Sequence, residues 1–244
     1  VSGTDQTPVT STEDVSGDAT TDFLVDQKVD LTVVMKNGTE VTITPGSTAV
    51  AEFLVTNTGN AVIDILLSET AFADGEANPF VGALLDNFNS VADVVTFYID
   101  DDGTPGFSAG DSAVTSLDNA AIDTGITVYM EISADAALLT DSLAVYALTG
   151  TAADSVSGVA LTEDNGGDDV DASEVVFADG AGSDDAEYSG TYSDRTAFIV
   201  SAASLTVSKS VLVYDDGVAP QNPEELYAIP GSIMEYTILI STAA

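Results

Sequence analysis

A short acidic segment, residues 100–111, carries the clearest pattern of potential metal ligands in the chain. It reads DDDGTPGFSAGD. Oxygen-bearing side chains fall at its first, third, fifth, ninth and twelfth positions, which are Asp100, Asp102, Thr104, Ser108 and Asp111. Calcium takes about six to eight hard oxygen ligands, and alternate residues of a tight loop can supply them. The spacing therefore predicts a calcium-binding loop.

This loop departs from the usual calcium-binding pattern at several positions. Thr104 and Ser108 stand where carboxylates are common, Pro105 takes the place of a glycine, and Asp111 replaces a bidentate glutamate. We therefore expect weak calcium binding. The alternative is an acidic hairpin turn between two strands that binds nothing. Two further acidic, glycine-rich segments, 163–171 and 179–187, are interpreted as solvated loops.

The amino-acid composition lacks several residue types on which common catalytic sites depend. The chain has no histidine and no cysteine, so the common nucleophilic triads cannot be built. A pair of carboxylates can hydrolyse a glycoside, but nothing singles out one pair among 41 acidic residues. We predict that the protein is not an enzyme.

The net charge of −37 restricts the partners that the chain can have. Only four residues are basic, which argues against nucleic acid, because phosphate binding needs clusters of lysine and arginine. The same charge opposes docking to an anionic membrane, and no apolar run is long enough for a membrane span. We expect an extracellular or cell-surface protein with a solvated acidic surface.

The distribution of apolar residues predicts an all-β fold. Alternating runs rich in Val, Ile, Thr and Tyr predict strands, and the clearest are 49–56, 93–99, 125–133, 142–150 and 197–201. Asn37-Gly38 predicts a hairpin turn between strands 30–36 and 40–44. Within residues 70–91, apolar side chains four residues apart (Phe80, Leu84 and Phe88) predict a short helical turn.

Three segments of the chain occur twice and in the same order. The longest repeat, PGSTAVAEFLVTNTG at 45–59, aligns without a gap to PGSIMEYTILISTAA at 230–244. The shorter ones are Leu31-Thr32-Val33 with Leu205-Thr206-Val207, and Phe23-Leu24-Val25 with Phe198-Ile199-Val200. We therefore expect the second copy to open a domain that this chain does not finish.

The pattern LTV, PGS, alternating strand and TNTGN resembles the conserved-repeat, immunoglobulin-like domain of bacterial surface proteins. The resemblance covers residues 23–67 and 197–244 well and the middle of the chain loosely. It implies a structural module of a secreted protein with tandem repeats, and it includes no catalytic motif. In such repeats the last strand of one domain runs directly into the first strand of the next.

On this basis we predict three parts. Residues 1–28 are an N-terminal arm or donor strand, 29–202 are an immunoglobulin-like β-sandwich, and 203–244 are the first strands of a second, incomplete sandwich that another chain completes.

The predicted function is that of a structural subunit of an extracellular filament or surface fibre. Copies would join head to tail, with 1–28 of one copy donating a β-strand to 203–244 of the next. The predicted interface consists of Phe23, Leu24, Val25, Leu205, Val207, Tyr236, Ile238 and Ile240. The alternative is a repeat module of a longer cell-surface adhesin or spacer protein that does not polymerise.

Overall fold

The computed structural model describes residues 9–10, 22–91, 94–164, 173–202, 204–217 and 226–243. These residues form sixteen β-strands and no α-helix. The chain divides into two compact units, Val1–Ser201 and Ala202–Ala244. The division lies one residue from the predicted boundary between 202 and 203.

Fourteen strands belong to the first unit. In chain order they are β1 (Val9–Thr10), β2 (Asp22–Phe23), β3 (Gln27–Val29), β4 (Leu31–Met35), β5 (Val41–Ile43), β6 (Thr48–Asn57), β7 (Ile63–Ala71), β8 (Thr96–Ile99), β9 (Ser112–Val114), β10 (Ser116–Ala120), β11 (Gly125–Ser133), β12 (Leu143–Ala153), β13 (Val175–Phe177) and β14 (Thr191–Val200).

Two five-stranded sheets make up most of the first unit. One has the strand order β4-β6-β11-β8-β9 and the other has the order β10-β7-β12-β14-β5. Large apolar side chains from both sheets, among them Phe53, Met130, Tyr146 and Phe198, are fully buried in one continuous core. The predicted all-β class is confirmed, and the two packed sheets have the architecture of a β-sandwich.

The period-two pattern of β6 shows that one face of this strand is buried, and the strand lies between β4 and β11 in its sheet. Ala51, Phe53 and Val55 are buried, whereas the intervening Glu52 and Leu54 are only partly buried. Successive side chains of a strand point to opposite faces, so this alternation directs one apolar face into the core. The strand pairs along its length with β11 and, over its second half, with β4.

The turn at Asn37-Gly38 does not close a hairpin, contrary to the sequence prediction. Strand β4 pairs with β6, whereas β5 pairs in parallel with β14 of the opposite sheet. Gly38 has a φ of 66°, but the bend at this point carries the chain from one sheet to the other. Turn chemistry is local, whereas burial of Ile43 between the sheets decides which strand β5 joins.

Residues 80–88 form no helical turn, and this prediction was also wrong. Their backbone pairs with β12 instead: the amide of Asn87 donates to the carbonyl of Leu143 at 2.8 Å. Phe80 and Leu84 pack against the outer face of the second sheet, at Leu143 and Val145, while Phe88 enters the main core. The segment thus covers a second face of β12, which is why six consecutive residues from Leu143 are buried.

Asp86 is a buried carboxylate within this covering segment. Its Oδ2 accepts a hydrogen bond of 2.5 Å from the amide of Val145, while Oδ1 is enclosed and has no partner in the described residues. Burial raises the pKa of Asp86 above its ordinary value, and the charges of Asp74 and Glu76 raise it further.

Because the pKa of Asp86 is raised on folding, the native state binds its proton more tightly than the unfolded chain does. We expect the contribution of this carboxyl to the free energy of unfolding to fall as the pH rises from about 3.8 through its folded pKa. Above that range the loss of stability is complete and constant. Asp86→Asn should therefore be more stable than the natural protein at pH 7 and equally stable at low pH. Urea unfolding from pH 3 to 8 measures this (roughly the range over which carboxyls titrate), with the exposed Asp118→Asn as control. Equal curves for all three proteins would contradict the prediction.

Candidate functional site

The second unit is a single antiparallel hairpin in the described residues. It consists of β15 (Ser204–Asp215) and β16 (Ile233–Ala243). The register places Leu205 opposite Thr242 and Val207 opposite Ile240. Two strands alone bury little apolar surface, and an isolated hairpin is at best marginally stable in water.

This hairpin repeats the β4–β6 pair of the sandwich in the same register. In the first unit Leu31 lies opposite Asn57, and Val33 lies opposite Val55. The sequence repeat aligns these four residues with Leu205, Thr242, Val207 and Ile240, which form the matching pairs of β15 and β16. The two pairs of strands are therefore equivalent in backbone pairing as well as in sequence.

The equivalent side chains differ sharply in burial. Phe53 and Val55 are fully buried in the sandwich, whereas their counterparts Ile238 and Ile240 are 61% and 62% exposed. Tyr236 on the same face is also exposed. Leu239, which lies between Ile238 and Ile240 and points to the opposite face of β16, is exposed as well. The hairpin thus has the apolar pattern of core strands, but among the described residues no core covers it.

One edge of β16 is also unpaired. In the sandwich β6 lies between two strands, and β11 pairs with it from Thr48 to Thr56. In the described part of the second unit, β16 pairs with β15 alone. The edge that corresponds to the β11 side of β6 therefore presents free backbone donors and acceptors, which can template another strand.

The predicted interface residues are divided between the two units. Phe23 lies in β2, opposite Val9, and Leu24 and Val25 follow it as half-buried residues of the first unit. Val207, Tyr236, Ile238 and Ile240 are exposed on the hairpin. The side chains of Phe23 and Leu205 lie outside the described residues, as does most of the predicted arm.

The predicted boundary after residue 28 falls inside a strand of the sandwich. Gln27–Val29 form β3, which pairs in parallel with β13, and both Gln27 and Val29 are buried. A segment free to leave the first unit must therefore end before Gln27.

The acidic loop 100–111 connects the paired strands β8 and β9, where Ile99 lies opposite Ser112. It brings Asp100, Asp102 and Asp111 together, with one carboxylate oxygen of each within 4.8 Å of the other two. Three of the five predicted ligands are thus adjacent. The loop is therefore a hairpin turn that also gathers three of the predicted ligands, and calcium binding by it stays a prediction.

The other two predicted ligands hold Asp102 in place. The amide of Thr104 donates to Asp102 Oδ1, and the hydroxyl of Ser108 donates to Oδ2, each at 2.6 Å. These hydrogen bonds, with that of Ser108 the stronger influence, lower the pKa of Asp102 below its ordinary value. The amide of Ser108 also donates to Asp111 Oδ2 at 2.7 Å. Ser108 therefore links two of the three carboxylates.

An aromatic group beside the loop was not predicted from the sequence. Phe107 packs edge-on against Tyr98 and Tyr129, with ring centroids 5.0 and 5.5 Å away. Tyr98 and Tyr129 are directly opposite each other on β8 and β11. Burial raises the pKa of Tyr129, and the negative charge of Asp100 adds to this effect. The two tyrosines are visible in the sequence, but their contact can be predicted only once the pairing of β8 with β11 is known.

Comparisons with known proteins show no family for this chain. No protein-family model matches it, and no curated protein matches it. Among solved structures, a family 123 glycoside hydrolase from Clostridium perfringens aligns with 67% of this chain and 23% of its own, at 12% identity and a TM-score of 0.33. The chain therefore spans under a quarter of that protein.

Two other solved structures give similarly distant alignments. AvmM, which catalyses macrocyclisation in alchivemycin A biosynthesis, aligns with 79% of this chain and 95% of its own, at 12% identity and a TM-score of 0.31. The sixth cohesin of Acetivibrio cellulolyticus scaffoldin B covers 61% of this chain and 97% of its own, at 16% identity and a TM-score of 0.23. These scores support no argument about function. In the described ranges, no helix has the length and apolar character needed to cross a membrane.

Proposed function

We propose that this protein is a structural subunit of an extracellular filament or surface fibre, in which copies join head to tail through the C-terminal hairpin. The observation that carries the proposal is the equivalence of β15–β16 with β4–β6, combined with the exposure of Ile238 and Ile240 at positions that are buried in the sandwich. Such a hairpin gains stability when another chain covers its apolar face and pairs with its free edge.

The strand order supports an immunoglobulin-like topology for the sandwich. The run β4-β6-β11-β8 corresponds to strands A, B, E and D of that fold, and β7-β12-β14 corresponds to C, F and G. The parallel pairing of β5 with β14 places the continuation of the first strand beside the last. In these terms the C-terminal hairpin is an A–B pair that lacks its neighbours.

The segment that we propose as the donor is the part of the N-terminal arm before Gln27. Its motif Phe23-Leu24-Val25 matches Phe198-Ile199-Val200 at the end of β14, where Phe198 and Val200 are fully buried in the core. Residues of this pattern suit the last strand of a sandwich. Donation from one copy to the hairpin of the next is heterologous and so extends into a filament.

Apolar burial must overcome charge repulsion for such an assembly to form. Val207, Ile238 and Ile240 are each about three-fifths exposed. Burying this exposed surface contributes about 1–2 kcal/mol per side chain. Both proposed partners are acidic: residues 1–26 contain no Lys or Arg, and the second unit contains only Lys209. We therefore expect assembly at physiological salt, where screening is effective beyond about 8 Å, and not at low ionic strength.

Electron microscopy and sedimentation of the full chain, compared with a variant lacking residues 1–26, test the proposal. The deletion ends before Gln27 so that β3 keeps its pairing with β13. We expect fibres from the full chain in 0.15 M salt (a Debye length of about 8 Å) and monomers from the deletion variant. Fibres that survive the deletion would contradict strand donation from the N-terminal arm. A full chain that stays monomeric at every salt concentration would contradict the filament.

A repeat module of a longer surface protein is the second candidate. The observation that favours it is the short connection between the two units: β14 ends at Val200 and β15 begins at Ser204. Direct passage from the last strand of one sandwich to the first of another suits tandem repeats. In that case a chain extended beyond residue 244 would remain monomeric and would bury Ile238 and Ile240 within its own second domain.

A further inference from the structure

The three clustered carboxylates of the loop 100–111 carry negative charge that the protein does not neutralise. All four basic residues of the sequence are engaged elsewhere. Lys28 pairs with Asp30, Lys36 pairs with Glu52, and Arg195 pairs with Glu76 and Asp184. Lys209, in the second unit, lies over the ring of Tyr236 at 4.7 Å. Among the described residues, no Lys or Arg forms an ion pair with Asp100, Asp102 or Asp111.

Asp111 supplies a second, independent observation. It is 9% exposed, and its Oδ2 accepts the hydrogen bond from the amide of Ser108. Its Oδ1 is enclosed and has no hydrogen-bond partner in the described part of the chain. An unsatisfied buried polar atom costs about 1–3 kcal/mol, and more when it is charged. A cation bound beside Asp100 and Asp102 would satisfy this oxygen and remove that cost.

We propose that Asp100, Asp102 and Asp111 bind one divalent cation with a preference for hard oxygen ligands, and that calcium is the ion that suits them. Two oxygens bound to one calcium at about 2.4 Å lie no more than about 4.8 Å apart, and the three carboxylates meet this limit. Thr104 and Ser108 position Asp102 through hydrogen bonds. The ligand set is therefore three carboxylates completed by water.

The exposure of the site to solvent indicates that its affinity for calcium is low. Asp100 and Asp102 are exposed, while Asp111 is buried at the base of the loop. Magnesium demands a nearly ideal octahedron and gives up its water reluctantly, whereas calcium tolerates irregular sets of oxygens. An open calcium site of this kind falls in the range of extracellular modules, with a dissociation constant of about 0.1–1 mM. This inference does not rest on the proposed filament function.

Terbium luminescence on the full chain tests the site. The sequence has no tryptophan, so tyrosine alone sensitises a bound lanthanide, and Tyr129, whose pKa is raised by burial, lies close enough to Asp100 for the charge of that carboxylate to raise this pKa further. We expect emission that saturates with terbium and is displaced by millimolar calcium (about the dissociation constant above) but more weakly by magnesium. Tyr129→Phe should reduce the amplitude of the emission.

Matched charge variants separate this site from general ion binding to an acidic protein. Asp102→Asn/Asp111→Asn should weaken calcium at least about tenfold, because two of three charged ligands are lost. Asp118→Asn/Asp123→Asn removes the same charge from exposed positions and should leave the midpoint unchanged. Urea unfolding in chelator checks that both variants fold, and Asp102→Asn alone, at an exposed residue, serves if the double variant does not. Emission that does not saturate, or equal weakening in both double variants, would overturn the proposal.

Discussion

Replacing Phe53 by alanine lowers the free energy of unfolding of the sandwich by about 3–5 kcal/mol, whereas Ile238→Ala at the repeat-equivalent position changes it by less than about 0.5 kcal/mol. Phe53 is fully buried on β6, between β4 and β11. Its removal forfeits the burial of an aromatic ring and leaves a cavity. Ile238 occupies the matching place on β16, but most of its surface already faces water.

Urea unfolding of both variants, followed by circular dichroism at low ionic strength, measures this contrast without contributions from assembly. Val81→Ala is a suitable control, because Val81 is fully exposed on the sandwich. A loss of several kcal/mol (by the measure of core truncations) in Ile238→Ala would show that the hairpin is part of the cooperative unit of the sandwich. That result would contradict the description of the hairpin as an uncovered pair of strands.

The repeat in the sequence predicts the pairing of the C-terminal hairpin because two kinds of local information agree. Pro-Gly-Ser marks where the second strand begins, and the alternation of apolar residues in 49–56 and 234–241 sets its face. In a strand a shift by one residue exchanges the two faces, so a shared pattern implies a shared register. The same reasoning predicted the all-β class and the main strands of the sandwich.

The crossing of β5 and the shape of residues 72–91 depend on distant partners and were not predictable in this way. The sequence around Asn37-Gly38 contains a good turn, but β5 pairs with β14, where the partner of Val41 is Phe198, far along the chain. Apolar spacing of four in 80–88 is compatible with a helix. The segment nevertheless follows β12, because Leu143 and Val145 offer it both an apolar face and free backbone groups.

The acidic loop shows which features of a candidate metal site residue spacing can predict. Spacing predicts which side chains gather at one end of a hairpin, and Asp100, Asp102 and Asp111 do so. Spacing does not distinguish the three carboxylates that form the cluster from Thr104 and Ser108, which donate hydrogen bonds to Asp102. That distinction depends on hydrogen bonds such as the one from Ser108 to Asp102, which only the folded loop reveals.

Introducing charge on the apolar face of the hairpin should abolish head-to-tail assembly. In Ile238→Asp/Ile240→Asp two carboxylates replace side chains that the proposed contact buries. Burying an unpaired charge costs several kcal/mol, so the gain of about 1–2 kcal/mol per apolar side chain is reversed. We expect the concentration at which fibres form to rise by at least about 100-fold, which corresponds to about 2.7 kcal/mol.

The matched control is Val81→Asp/Val159→Asp, which adds the same charge at exposed positions of the sandwich. Sedimentation and electron microscopy at physiological salt should show fibres for the control and monomers for the hairpin variant, with identical urea unfolding of the sandwich in both. If both variants lose assembly equally, the added charge alone explains the loss and the hairpin face is not the contact. If both assemble, the filament forms through another surface, because two buried carboxylates are incompatible with an apolar junction at β16.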